Sequence, residues 1–172
     1  MLKLIGACLT LAACASFGFT WAGLYEKRPR QIKGLEGALQ LLETEIIYGA
    51  TPLPEAMEEV ALRCDSEIAV LFRRTAGELR KMEGLTGGEA WQKAINDFFP
   101  GTALNKQDIL ILQRLGSSLG ISDREDQAKH LTLTKSQLAA AAVQAEMTAK
   151  KSATVYRYLG VLGGLLLVLV LY

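Results

Sequence analysis

Two apolar stretches bracket this chain, and every one of its 18 acidic residues lies between them. The first stretch runs from Leu4 to Leu24 and the second from about Ala153 to Tyr172. A bilayer core roughly 30 Å thick needs about 20 mostly apolar residues as helix, and both stretches meet that length. The segment between them, Tyr25 to Ser152, holds 17 of the 19 Lys and Arg residues. The pattern predicts an N-terminal transmembrane segment over 1–25, a domain over 26–152, and a C-terminal transmembrane segment over 153–172. A small domain held at both ends favours an assembly component over an enzyme.

The middle segment is long enough for one modest hydrophobic core. Its charge is nearly balanced, which leaves nucleic-acid binding without electrostatic support. Cys8 and Cys14 sit inside the first apolar stretch and Cys64 is alone in the domain. No disulfide framework follows from that usage.

Flanking Lys and Arg favour the cytoplasmic side of a membrane. Lys3 precedes the first stretch, whereas Lys27, Arg28, Arg30 and Lys33 follow it. Lys150, Lys151 and Arg157 accompany the start of the second stretch, with nothing basic after it. Both biases predict a cytoplasmic domain with both termini outside. Trp21, Tyr25, Tyr156, Tyr158 and Tyr172 lie near the ends of the stretches, as interfacial aromatics do. A rival is an exported lipoprotein, since a short apolar run ends at Leu11-Ala12-Ala13-Cys14. Against it, apolar character continues through Phe17, Phe19, Trp21 and Leu24, and export puts Lys150, Lys151 and Arg157 on the disfavoured side.

The middle segment reads as all helix. Ile32, Leu35, Leu39, Leu42 and Ile46 recur at three- and four-residue spacing, one apolar helix face. Gly49 suits the residue after a helix end, and Thr51-Pro52-Leu53-Pro54 breaks the chain. Ala56, Met57, Val60 and Ala61 mark a second helix, and Ile68, Leu71, Phe72, Thr75 and Leu79 a third, capped by Asp65 or Ser66. Thr86-x-x-Glu89 has capping-box spacing before a fourth helix with Ala90, Trp91, Ile95 and Phe98. Asn105 caps a fifth with Ile109, Leu112, Leu115 and Leu119, ending at Gly120. Ser122-x-x-Glu125 is a second capping box, and no helix stop follows it. The last helix is therefore expected to run into the second apolar stretch. Its Ala-rich part, Ala139 to Ala153, buries little and is expected to stand exposed or to pack on a partner. Strand-like alternation is missing.

Candidate chemistry is sparse, and no catalytic, cofactor-binding or metal-ligating set is predicted. His130, the only histidine, has no cysteine nearby to share a metal. Cys64 reads as a structural thiol, because Arg63 and Asp65 make no electropositive pocket. The paired carboxylates Glu43 and Glu45, Glu58 and Glu59, and Glu125 and Asp126 point away from each other on a helix and read as solvated surface. Gly84-x-x-Gly87-Gly88 lacks the Lys and Ser/Thr of a phosphate loop. Gly160-x-x-x-Gly164 places two glycines on one face, a pattern that lets membrane helices approach closely.

Several stretches resemble a known family. They are Glu26-Lys27-Arg28-Pro29-Arg30-Gln31-Ile32, Leu41-Leu42-Glu43-Thr44-Glu45-Ile46-Ile47-Tyr48-Gly49 and Thr51-Pro52-Leu53-Pro54-Glu55-Ala56. Leu115-Gly116-Ser117-Ser118-Leu119-Gly120-Ile121-Ser122-Asp123 and Tyr158-Leu159-Gly160-Val161-Leu162-Gly163-Gly164 continue the likeness in order. Together they resemble stage III sporulation protein AB of endospore-forming bacteria. That family looks like a reduced inner-membrane platform protein of type II secretion and type IV pilus machines. The resemblance implies a cytoplasmic six-helix bundle and a non-enzymatic place in the channel complex between mother cell and forespore, required for endospore formation.

Implied partners are a cytoplasmic secretion-type ATPase, other membrane and ring-forming subunits of that channel, and membrane lipid. The resemblance also marks Tyr48, Gly49, Thr51 and Pro52 as a docking turn, the plain alternative being a helix–turn–helix corner. Arg28, Arg30 and Lys33 are expected to bind anionic lipid or to fix topology, Lys150 and Lys151 to fix topology. A soluble-partner adaptor and a lone membrane-anchored enzyme or lipoprotein are the competing readings.

Overall fold

The computed structural model describes residues 26–81, 84–120 and 123–171. The stretch Leu4–Leu24, Cys14 and Ser122 lie outside them. Helix α1 covers 26–47, followed by α2 (Leu53–Arg63), α3 (Ser66–Arg80) and α4 (Gly87–Phe98). A 3-10 turn, Phe99–Gly101, then leads to α5 (Lys106–Gly116) and α6 (Arg124–Leu171). Among the described residues there is no strand. The described part of the chain is all-helical, as the periodicity predicts.

The chain divides into two compact units. The first, Arg30–Ala142, is a helical bundle in which α2 packs on α3, α3 on α4, and α4 on α5. Its core follows the predicted faces. Ile32, Leu35, Leu39 and Leu42 of α1, Met57 and Val60 of α2, Leu71 and Phe72 of α3, and Leu112 of α5 are fully buried. Each such side chain contributes about 1.5–3 kcal/mol relative to exposure. Trp91 is fully buried, its indole N–H donating to the Leu112 carbonyl at 2.7 Å. Its ring meets Phe72 edge-on, with centroids 5.6 Å apart. The indole is thus buried with its one polar group satisfied.

Local caps define where the helices begin. Thr86 and Glu89 form the predicted capping box, and Asn105 forms another with Asp108. Asp123 accepts from the Asp126 N–H at 2.8 Å, because its carboxylate precedes the first helical residue, Arg124. Helix α5 stops at Gly116, and a turn then carries the chain to Gly120, whose φ is +76°. At the end of α1 the left-handed residue is Ala50, with φ of 49°, and not Gly49.

The second unit comprises Met1–Pro29 and Val143–Tyr172, of which 26–29 and 143–171 are described. Helix α6 runs 48 residues without a break, so its backbone remains helical through the C-terminal apolar stretch. Few side chains of that stretch are described. Among the described residues, no helix is long and apolar enough to cross a membrane. The Ala-rich part of α6 is not bare on every side, contrary to expectation. Ala142, Ala145 and Ala149 are buried, in line with Leu131, Thr134 and Leu138. Alanine carries too little apolar area to stand out in the sequence, yet it permits close packing along one stripe.

Candidate interaction surfaces

The corner between α1 and α2 is closed by backbone bonds of unusual reach. The N–H groups of Tyr48 and Gly49 both donate to the Thr44 carbonyl, at 3.0 and 3.2 Å. The Thr51 N–H reaches six residues back to the Glu45 carbonyl at 3.2 Å. A left-handed Ala50 makes that last bond possible, at a steric cost of roughly 1–2 kcal/mol for a residue with a Cβ. A Cβ on Gly49 would lie 2.7 Å from Thr51 Oγ1 and 2.8 Å from the Glu45 carbonyl oxygen. Glycine at 49 is therefore required by crowding.

Side chains hold the same corner to α2. Thr51 donates its hydroxyl to Glu45 Oε2 at 3.1 Å, and Arg63 donates to Glu45 Oε1 at 3.3 Å and to Glu59 at 3.1 Å. Pro52 sits at the N-cap of α2, where its missing N–H costs nothing. Of the four predicted docking residues, Gly49, Thr51 and Pro52 thus have architectural work. Tyr48 is different. Its side chain is 83 % exposed, and the fold uses only its backbone.

The basic flanks are mostly at the surface. Arg30, Lys33, Lys150 and Lys151 are exposed, and Arg28 is half-buried. Arg28 and Lys33 hold polar partners within the chain. Gly160 and Gly164 both lie on α6, four residues apart and so on one face. Their surroundings lie outside the described residues.

Two polar clusters escaped local sequence reasoning. Glu43, expected as solvated surface, is an inward anchor between α1 and α6. It pairs with Lys135, accepts from Thr132 Oγ1 at 2.8 Å and from Gln40 at 3.1 Å. The Glu43 and Lys135 side chains keep only 13 and 15 % of their exposure. Burial pushes the Glu43 carboxyl up, but the Lys135 and Thr132 hydrogen bonds and the Lys135 charge outweigh it, leaving the pKa below the ordinary value. The second cluster centres on Gln31, which is buried and joins α1 both to Glu67 at 2.9 Å and to the Ala103 N–H at 2.8 Å. The partners lie 36 and 72 residues away, so no local spacing announces them.

Reactive groups are dispersed. Burial pushes the half-buried Cys64 thiol up, away from thiolate character. His130 Nε2 lies 3.7 Å from Asp126, one turn earlier on α6. Among the described residues no three His, Cys, Asp or Glu side chains gather to hold a metal ion. An open groove on α6, lined by Glu125, Ala128, Lys129, Thr132, Leu133 and Ser136, pairs its Lys129 with Glu125 at 3.2 Å. Among the described residues these groups lie apart from one another.

The chain is similar to known proteins over most of its length. The family model for stage III sporulation protein AB matches residues 3–172. The chain is 37% identical to stage III sporulation protein AB of Bacillus subtilis (strain 168) over 171 residues, covering 99% of each chain. A solved structure of stage III sporulation protein AB superposes with a TM-score of 0.68 at 35% identity. That match covers 72% of this chain and 97% of the solved one.

Proposed function

The chain belongs to the stage III sporulation protein AB family, and we propose that it is a non-enzymatic membrane platform of the mother cell–forespore channel. Its soluble bundle faces the mother-cell cytoplasm, where a secretion-type ATPase docks, and its two apolar ends cross the membrane toward the other membrane and ring-forming subunits. The observation that carries this reading is the family match over nearly the whole chain, apolar ends included. The charge bias of Lys27, Arg28, Arg30 and Lys33 and of Lys150 and Lys151 supports the orientation. Those residues lie where anionic lipid would meet them, and Gly160 and Gly164 suit close helix packing in the bilayer. Tyr48 at the α1–α2 corner is the side chain best placed for the ATPase or another partner.

The mechanism is mechanical coupling. A displacement imposed on the bundle passes along α6, whose continuous hydrogen bonding from Arg124 to Leu171 resists bending more than a loop does. Topology tests the whole reading. Cys8, Cys14 and Cys64 are replaced by Ser, and the exposed Leu62 is changed to Cys. Intact and permeabilised cells are then treated with an impermeant maleimide. Labelling only after permeabilisation is expected. Labelling of intact cells would place the bundle outside, remove the ATPase from reach, and favour the exported reading, in which the native chain is anchored at Cys14. Recovery of a hexameric ATPase on the tagged full-length chain from sporulating cells checks the partner.

A further inference from the structure

We propose that α6 pairs with α6 of a second copy of this chain, parallel and in register, through the face its own fold leaves open. Leu133, Ser136, Ala140, Val143, Met147, Lys150 and Thr154 alternate at spacings of three and four, the seam pattern of a two-stranded coiled coil. All seven are exposed. The three large apolar ones, Leu133, Val143 and Met147, are 54, 53 and 68 % exposed. The buried stripe of Leu131, Thr134, Leu138, Ala142, Ala145 and Ala149 lies on the opposite side of the same helix. One helix therefore carries a buried stripe that the fold accounts for and, opposite it, an exposed face where Leu133, Ala140, Val143 and Met147 stand beside the polar Ser136, Lys150 and Thr154.

Charge selects the occupant and its direction. Glu146 comes just before the seam residue Met147, and Lys151 just after Lys150. In a parallel coil these two positions face each other across the pair, so Glu146 meets Lys151 of the second copy twice by symmetry. An antiparallel pair sets Glu146 near Ala139 or Ala153 and Lys151 near Gln144, with no charge to match. Glu146 already has a polar partner within its own chain, so the gain is the difference between two partners. Ser136 and Lys150 on the seam weaken the pairing while fixing its register. The contact is thus reversible and independent of the channel reading.

Crosslinking of the full-length chain in mild-detergent micelles and in native membranes tests this. With the three native cysteines replaced by Ser, V143C and M147C place single thiols on the seam, and T148C places one just off it at an exposed position. Residues 143 and 147 both meet their own copies only in a parallel, in-register pair. Oxidation is expected to give disulfide dimers about tenfold faster at 143 and 147 than at 148. Adding E146K to M147C should slow the reaction about fivefold, and E146K with K151E should restore it. Equal rates at the three positions, no dimer, or no restoration would overturn the proposal. Trapping of M147C on a different protein in membranes would give this face to that protein and overturn the second-copy assignment.

Discussion

Ala103 donates its backbone N–H to the buried side chain of Gln31 at 2.8 Å, across 72 residues of chain. The Gln31 side-chain Nε2 in turn donates to Glu67 at 2.9 Å, so one side chain joins α1, the start of α3 and the loop before α5. Gln31→Leu fills similar volume but leaves the Ala103 N–H unpaired. The expected loss is about 1–3 kcal/mol, the penalty for a buried donor without an acceptor. Urea unfolding measures it, and an unchanged midpoint would show that water reaches this amide.

Ala50 adopts a left-handed backbone with φ of 49° in a place where glycine is at home. Ala50→Gly is expected to stabilise the protein by about 0.5–1 kcal/mol, since the relief of strain exceeds the added freedom of the unfolded chain. Gly49→Ala should act in the opposite sense, because its Cβ has no room. Thermal melts of the two variants should move in opposite directions.

The Glu43–Lys135 pair makes part of the stability pH-dependent. Its carboxyl pKa is lowered in the fold, so its contribution is present above the unfolded carboxylate value of about 4.3 and disappears as pH falls through the lower folded value. Lys135→Met is expected to cost about 1–2 kcal/mol near neutral pH, between exposed and fully buried pairs. In that variant Glu43 keeps its burial without its partner and protonates early. The gap from wild type should therefore shrink on acidification toward about pH 4, and a gap that stays constant would assign the loss to packing.

Coupling through α6 predicts a phenotype without unfolding. Ala141→Pro removes one helical hydrogen bond and kinks the rod, at about 3 kcal/mol or more within the helix. Channel assembly and sporulation are expected to fail while the chain still reaches the membrane, whereas Ala141→Ser should behave as wild type. Normal sporulation with the proline would refute rigid coupling.

Gly88→Ala should destabilise by about 1–3 kcal/mol, the range for overfilling a packed interior. A Cβ there would sit 2.4 Å from the Gly116 carbonyl oxygen. Chemical denaturation of the purified bundle variant measures this directly.

Helix positions were legible because apolar side chains at Ile32, Leu35, Leu39 and Leu42 repeat with the helical period, and Thr86 and Asn105 are strong local caps. What was not legible depends on partners distant in sequence. Glu43 resembles any surface carboxylate until Lys135 arrives from α6, and Gln31 looks neutral until Ala103 and Glu67 are brought to it. Gly87 and Gly88 read as loop residues, although α4 begins at Gly87, which lies against Leu119 in the turn after α5, and Gly88 lies against Gly116 at the end of α5. At the predicted docking turn, local spacing could not separate the residues that build the corner from Tyr48, which the corner merely displays.

The meeting of Gly88 with Gly116 is a contact between two backbones, and that sets a rule for suppressor genetics. Space taken by a larger side chain can usually be returned by trimming its neighbour. Here the obstructing atom is a carbonyl oxygen, and no codon change at position 116 deletes it. Revertants of a defective Gly88 allele should therefore be restored glycines, or changes that lift the start of α4 away from α5, and never compensating trims at the point of contact.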